Sequence, residues 1–216
     1  GGSRCNVTNA RVTDADFWGG RPSIVRRILR AFPSSAAVAF FREIGISLHE
    51  EAGGKLFPDT NRSRDVLDAL LRETGRVGAT LESGRRVLDV ARATSANGDF
   101  VVTTGDGDLS ARAVVLATGG QSLPKTGSDG AGFGIARRLG HTIVEPTPAL
   151  APLLLNGDDL PRELSGVAQD VELAIWIDGR IDVRLRGAIL WTHFGVSGPV
   201  ALDASRHWHR AQLDGH

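Results

Sequence analysis

An unbroken apolar run, Ala113 to Ala117, constrains the fold of this 216-residue chain more than any other feature. Consecutive apolar residues indicate a strand covered on both faces, as in a parallel sheet with helices on either side. Thr118, Gly119 and Gly120 follow directly and predict that the strand ends there. The predicted class is therefore α/β with a parallel sheet.

The residues around the run predict further strands and helices. Period-two patterns predict strands at about 79–82, 86–94, 99–104 and 109–118. Asn97-Gly98 and Asp106-Gly107 are typical hairpin turns, so the last three strands form an antiparallel meander. Helical spacing predicts helices at about 22–32, 34–44, 61–74 and 129–139. Ser34 or Ser35 is the candidate cap of the second helix.

The composition changes after the last of these helices. Pro146, Pro148 and Pro152 mark a change of layer, so we predict one domain over 1–147 and another over 148–216. The second domain is predicted to be mainly β, with a hairpin turn at Asp178-Gly179. A final helix is expected at about 199–208, with Ser197 as its candidate cap.

Composition excludes several classes of protein. The 25 basic and 25 acidic residues balance, which argues against a broad nucleic-acid surface. The sequence contains no run of 18 apolar residues, so no membrane span is predicted. The one cysteine, Cys5, excludes an internal disulfide and a cysteine-based zinc site, and favours the cytoplasm. We therefore expect a small-molecule substrate, with no nucleic acid, membrane or metal. The sequence does not indicate an oligomeric state.

The N-terminal segment, residues 1–9, is the first candidate site. Gly1 and Gly2 permit close approach of a ligand, and the Arg4 side chain can pair with a phosphate. Further residues of the segment offer smaller polar contacts, namely Ser3, Cys5, Asn6, Thr8 and Asn9. The alternative is a polar turn at the end of the chain.

Two glycine-rich segments are further candidates. Ala117, Thr118, Gly119 and Gly120 end the predicted buried strand, where open α/β sheets bind ligands. The alternative is a tight turn out of the sheet. The second segment runs from Thr126 to Gly134 at a helix start, and its candidate residues are Thr126, Gly127, Asp129 and Gly130. It is not a G-x-G-x-x-G fingerprint, because Ile135 occupies the third glycine position. Asp129 could equally be a helix cap.

The histidines give one weaker candidate. His193, in the segment Thr192 to Pro199, is either an acid/base group near a substrate or an ordinary turn residue. Ser197 does not lie in a nucleophile elbow, so a serine hydrolase is rejected. The pair His207 and His209 is expected on the surface, and Glu50-Glu51 on a solvated face.

Taken together, the ordered segments resemble one family, the BaiN-like or aminoacetone-oxidase-like bacterial FAD-dependent oxidoreductases. The resemblance rests on Gly1–Asn9, Phe40–Gly45, Gly54–Pro58, Val114–Gly120, Thr126–Gly134, Leu139–His141, Pro148–Leu150 and Thr192–Pro199. It implies a Rossmann-like FAD domain with a meander, interrupted by a mainly β substrate domain.

The resemblance also implies a role for each segment. The Gly1–Asn9 loop would lie along the flavin and pyrophosphate, and Val87 would offer backbone to the adenine. Thr118 to Gly120 would lie near the pyrophosphate and ribose, and Thr126 to Gly130 near the flavin. FAD would carry hydride between a reduced nicotinamide, NAD(P)H, or an organic substrate and an acceptor, with His193 on the substrate side.

The chain departs from the family pattern at both ends. The initial strand with its G-x-G-x-x-G turn and the closing part of the FAD domain are not in these residues, which indicates an internal fragment, inactive by itself and binding FAD weakly or not at all. Two alternatives stay open. One is a fumarate-reductase or succinate-dehydrogenase-like flavoprotein, and the other is a non-catalytic nucleotide-binding remnant.

Overall fold

The computed structural model describes residues 4–18, 20–93, 99–156 and 160–216. The chain divides into two compact units, one of residues 1–88 and 102–109 and the other of residues 89–101 and 110–216. The predicted boundary near residue 147 does not coincide with this division and stays a prediction. Among the described residues no helix is both long and apolar enough to cross a membrane.

The first unit combines a small sheet with three helices. Its elements in chain order are β1 (Thr8–Asn9), α1 (Pro22–Ala31), α2 (Ser34–Glu43), β2 (Leu48–Glu51), β3 (Lys55–Pro58) and α3 (Ser63–Arg76). The strands pair antiparallel in the order β1-β3-β2. Ile46, Val66 and Ala69 form the buried core, against which Cys5 and Phe41 pack.

The three predicted helices of this unit are confirmed within two residues at every end. Pro22 begins α1, where its missing N–H costs nothing. The predicted cap of α2 is wrong, because Pro33 occupies the cap position and the Ser34 hydroxyl donates instead to the carbonyl of Asn9. That carbonyl belongs to β1.

The meander is partly as predicted. The strands are β4 (Val87–Arg92), β5 (Phe100–Thr104) and β6 (Gly107–Ala111), in the order β4-β5-β6. The turn before β6 lies at Gly105-Asp106, one residue earlier than predicted. Asn97-Gly98 lies outside the described residues. The strand predicted at 79–82 is wrong, since these residues have no regular structure.

The apolar run does not form a strand here. β6 ends at Ala111, residues 113–120 have no regular secondary structure, and Val115 is 88% exposed. A strand needs ladder partners, and residues 113–119 make no backbone–backbone hydrogen bond with another described residue. The predicted strand at 109–118 is therefore wrong beyond Ala111. The described residues form a mixed α/β structure, as predicted, without the parallel part of the sheet.

The second unit contains a four-stranded sheet and a long helix. Its elements after the meander are α4 (Ala131–Arg138), β7 (Leu153–Leu154), α5 (Leu160–Glu163), β8 (Ala168–Ile177), β9 (Arg180–Thr192), β10 (Gly195–Ser197) and α6 (Pro199–Asp214). The sheet order is β7-β10-β9-β8, with antiparallel pairs. The hairpin turn at Asp178-Gly179 is confirmed, with φ of 49° and 75° at its two residues.

Helix α6 packs on this sheet over a small apolar core. Ile189, Val196, Val200 and Ala201 are its buried members. A Cβ atom at Gly187 would lie 3.5 Å from the Val200 Cβ, so a glycine lets the helix approach the strand closely. The predicted cap is wrong, because Gly198 caps α6 and Ser197 ends β10. The helix also continues to Asp214, past the predicted end at 208.

Candidate functional site

The first candidate segment is held by its own unit. Residues 1–3 lie outside the described residues. Arg4 Nε donates to Asn61 Oδ1 at 2.8 Å, and its guanidinium forms an ion pair with Glu51. The guanidinium carbon also lies 4.2 Å from the centre of the Phe57 ring, a cation–π contact. The predicted phosphate-binding group is therefore already engaged on three sides by protein.

Glu51 connects Arg4 to a histidine. His49 Nε2 lies 3.3 Å from Glu51 Oε1, and His49 Nδ1 lies 3.4 Å from Asp59 Oδ1. The hydrogen bond from Arg4 lowers the pKa of the Glu51 carboxyl, with a smaller contribution from His49. Glu50 is exposed and Glu51 partly exposed, so both lie at the solvated surface as expected, but the ion pairs of Glu51 were not predicted. The sequence did indicate the pairing with His49, because residues 49 and 51 of one strand share a face.

The rest of the first segment has mostly structural contacts. Thr8 and Asn9 form β1, and Asn9 Nδ2 donates to the Gly53 carbonyl at 2.8 Å. A Cβ at Gly54 would come within 2.6 Å of Asn9 Oδ1, so a glycine is needed there. Cys5 packs against the core, whereas Asn6 is exposed and remains open to a ligand.

The two glycine-rich segments meet in the second unit. The Gly130 amide donates to the Gly120 carbonyl at 3.1 Å. A Cβ at Gly132 would lie 2.0 Å from Thr118 Oγ1, and one at Gly130 would lie 2.4 Å from Gln121 Nε2. We call residues 117–132 the glycine loop. Its glycines at 130 and 132 are required by the packing of the loop on itself.

Other positions of the glycine loop are open. Ala117, Thr118 and Gly119 are exposed, and the amides of Thr118 and Gly119 make no backbone hydrogen bond to a described residue. Gly127 has a left-handed φ of 100° and nothing within 4 Å of a Cβ built on it. The loop thus offers unused amide donors and backbone that a flat or phosphorylated ligand can approach.

The start of α4 is organised by Asp129. Its Oδ1 accepts the Ala131 amide at 3.0 Å, while Gly130 occupies the cap position with φ of 80°. The Asp129 carboxylate therefore accepts a hydrogen bond from the first turn of α4, although Asp129 precedes the cap residue by one position. Thr126 lies in a short 3-10 turn, and its hydroxyl donates to the Leu123 carbonyl at 2.9 Å.

The remaining candidates, Val87 and His193, lie on different secondary-structure elements. Val87 is the partly exposed first residue of β4 and belongs to the first unit, as do residues 4–9. His193 is exposed in the β9–β10 turn, where its ring packs edge-to-face on Phe194 at 5.0 Å. Within the described parts of the chain, no three His, Cys, Asp or Glu residues are grouped to hold a metal ion.

The expectation of a surface position is wrong for His207. It is buried on α6, with Nδ1 at 3.5 Å from Asp182 Oδ2, and burial lowers the pKa of its imidazole. The pattern of α6 explains the burial, because positions 200, 204 and 207 fall on one helix face. On α6 this histidine therefore lies against Asp182 of β9 instead of facing the solvent.

A mixed α/β chain with a glycine loop ahead of a helix is typical of the Rossmann-like, nucleotide-binding class of protein. Comparison with known families agrees with this class. The model of the HI0933-like protein Rossmann domain matches residues 1–202, and the chain belongs to that family.

Three curated relatives extend the comparison. The chain is 30% identical over 215 residues to a 3-dehydro-bile acid delta(4,6)-reductase of Clostridium scindens, covering 100% of this chain and 51% of the relative. It is 29% identical over 210 residues to a ribosomal RNA dihydrouridine synthase of Haemophilus influenzae, covering 96% and 51%. A protein of the same name from Escherichia coli is 29% identical over 208 residues, covering 96% and 50%. The chain spans about half the length of these relatives.

Proposed function

We propose that the intact protein is an FAD-dependent oxidoreductase similar to the BaiN-like flavoproteins, working in the cytoplasm. One observation carries this proposal: the family match over residues 1–202 includes every segment that the sequence associates with the cofactor. The reductase name of one relative supports the class of reaction.

The residues of the glycine loop fit the phosphate and ribose part of FAD. The exposed Thr118 and Gly119 amides would donate to pyrophosphate oxygens, and the Thr118 hydroxyl would reach the same group. The open backbone at Gly127, beside Thr126 and Asp129, leaves room for a flat ring. For Asn6 and the backbone of residues 4–6 in the first unit, a role along the flavin rests on the family resemblance alone.

Arg4 would act indirectly in this arrangement. Because Glu51, Asn61 and Phe57 hold its guanidinium, the side chain fixes the loop that contains it. The neighbouring backbone of Cys5 and Asn6, rather than the Arg4 charge, would then face the cofactor. Bound FAD would supply the hydride chemistry, with a reduced nicotinamide as the donor.

The first candidate substrate is a small organic molecule with an activated carbon–carbon double bond. Its support is the name of the C. scindens relative, a delta(4,6)-reductase. Reduction of such a bond adds a hydride to one carbon and a proton to the other. His193, exposed in its turn, is our candidate for holding that proton at an imidazole nitrogen.

The second candidate substrate is a uridine in RNA. Its support is that two relatives bear the name ribosomal RNA dihydrouridine synthase. Dihydrouridine is uridine with two added hydrogens, so the same hydride and proton are transferred. The two candidates therefore share their chemistry and differ in how the substrate is held.

Anaerobic half-reactions test this proposal. NADH or NADPH is mixed with the purified intact protein, and bleaching of the flavin band near 450 nm is followed. The reduced protein is then mixed with a conjugated enone or with uridine-containing RNA, and recovery of the band is expected with one of them. A flavin that a nicotinamide never bleaches would contradict the proposed donor. Fumarate as the sole effective oxidant would favour the fumarate-reductase alternative, and a protein without flavin would favour the remnant.

The variant His193→Gln tests proton transfer to the substrate separately from hydride transfer to the flavin. The variant should bleach with NAD(P)H at the wild-type rate, since that step needs no proton donor on the substrate side. Reoxidation by substrate should slow roughly 100-fold, as is typical when a general acid is removed. Equal rates of reoxidation in both proteins would remove His193 from the mechanism.

A further inference from the structure

Positive charge is concentrated in one part of this neutral chain. Residues 4–32 contain six arginines and two aspartates, with no lysine or glutamate, a net charge of +4 in a chain of net charge zero. The balanced charge of the whole chain disfavours a broad nucleic-acid surface, but a local basic surface of this kind can still bind a polyanion.

Helix α1 presents much of this charge on one side. At about 100° per residue, Arg26, Arg27 and Arg30 fall on one side of the helix, and α1 contains no acidic residue. Arg26 pairs with Asp14 at 3.0 Å. Arg21, Arg27 and Arg30 are exposed and form no ion pair with a described residue.

Exposed apolar and aromatic side chains lie on α1 and in the segment that precedes it. Ile28 is 62% exposed and Trp18 is 57% exposed, and Ile24 lies one turn before Ile28. Ile24 and Ile28 are within about 100° of Arg27 around the helix, so one surface carries both characters. We call this surface the α1 face, formed by Arg21, Ile24, Arg27, Ile28 and Arg30, with Trp18 three residues before Arg21 in the chain.

We propose that the α1 face binds single-stranded RNA. This inference rests on the second candidate of the proposed function, RNA as substrate. Guanidinium groups bind phosphates in a bidentate manner, and an exposed aromatic ring close by in the chain, such as Trp18, suits a ligand that also contains bases. The helix of 10 residues is about 15 Å long, enough for a few nucleotides.

An anionic membrane is the competing partner, and the orientation of α1 argues against it. A helix that lies in a membrane interface needs its whole apolar face free, with the cations opposite. Here Val25 and Leu29, two of the four large aliphatic residues of the helix, are partly buried within the unit. Arg27 lies next to the exposed Ile24 and Ile28. This arrangement suits a ligand in which charged phosphates alternate with flat bases.

Fluorescence anisotropy with a labelled uridine-containing 20-nucleotide single-stranded RNA tests the inference on the intact protein. Arg27→Gln/Arg30→Gln should weaken binding roughly tenfold and reduce the slope of log K against log salt by about 1.4, for two lost phosphate contacts. The control is Arg64→Gln/Arg72→Gln on α3, which changes net charge equally and should bind like wild type. Arg27→Lys/Arg30→Lys keeps the charge and should recover part of the affinity.

Three outcomes would overturn the inference. The wild type does not bind RNA, the α3 control loses as much RNA affinity as Arg27→Gln/Arg30→Gln, or Arg27→Gln/Arg30→Gln loses vesicle binding and keeps RNA binding. The vesicles contain phosphatidylglycerol and phosphatidylcholine. Flavin content and NAD(P)H bleaching are measured on the same samples. A yellow, reducible protein that does not bind RNA refutes only the α1 face. A colourless protein that binds RNA through α1 refutes only the proposed oxidoreductase.

Discussion

At the scale of single residues, glycines at specific positions decide how the glycine loop closes. A Cβ at Gly132 would lie 2.0 Å from Thr118 Oγ1 and 3.1 Å from Thr118 Cβ, whereas at Gly134 the nearest atom is the flexible Arg138 Nη1 at 3.5 Å. Both glycines lie in α4, two residues apart. They form a matched pair for testing whether close packing of the loop matters.

We expect Gly132→Ala to destabilise the protein by roughly 1–3 kcal/mol, the usual cost of overpacking, and to weaken FAD binding by displacing Thr118. Gly134→Ala should be neutral or stabilising by up to about 1 kcal/mol, since alanine is the better helix former. Urea unfolding and FAD titration provide the measurements. Adding Thr118→Ala to Gly132→Ala removes the clashing hydroxyl and should restore part of the stability. If Gly132→Ala behaves like Gly134→Ala, close packing at this point is unimportant.

The ion pair of Arg4 with Glu51 predicts a pH dependence. Arg4 lowers the folded-state pKa of Glu51 below its ordinary value of 4.5, so the stabilisation is present above that value and is lost as the pH falls through the folded-state pKa. Glu51→Gln should lower the thermal midpoint at pH 7 and flatten its decline in acid. Glu50→Gln, at the exposed neighbouring position, is the control. Identical melting profiles of the two variants would show that the Arg4 contact contributes nothing.

The partners of individual side chains in the candidate site could not be predicted from the sequence. Arg4 is an obvious phosphate ligand by residue type, yet its partners Glu51 and Asn61 lie 47 and 57 residues away. No local pattern indicates such a pairing. By contrast, the left-handed conformations of Gly45 and Gly140 follow the predicted helix ends, because those positions depend only on neighbouring residues.

At the scale of elements, helices were predicted more accurately than strands. Apolar spacing and Pro22 predict both ends of α1 to within one residue, because a helix forms its hydrogen bonds within itself. The run from Ala113 to Ala117 has the composition of a buried strand but no ladder in the described residues. A strand depends on partners elsewhere, and composition does not supply them.

His207 on α6 gives a prediction at this scale. Burial lowers the pKa of its imidazole in the folded protein below the ordinary 6.5. The unfolded chain therefore binds a proton more readily, and stability should decrease as the pH falls through about 6.5. His207→Gln should remove much of this decrease, whereas His209→Gln should retain it. Chemical denaturation between pH 5 and 8 measures the effect, and an unchanged slope in His207→Gln would contradict it.

At the scale of the whole molecule, the family match covers residues 1–202, while the predicted cofactor residues are divided between two compact units. Residues 4–9 and Val87 belong to one unit and the glycine loop to the other. The ordered set of short motifs indicates a flavoprotein from the sequence alone, because cofactor-binding loops need particular residue types at particular positions. The distances between those loops depend on long-range packing and could not be read from the sequence.

The central claim is that the intact protein binds FAD. The most direct measurement is the visible absorbance of the purified intact protein, followed by denaturation and quantification of the released flavin. We predict bands near 375 and 450 nm and about one FAD per chain, either as purified or after incubation with FAD and desalting. A colourless protein that retains no flavin after that incubation would contradict the account.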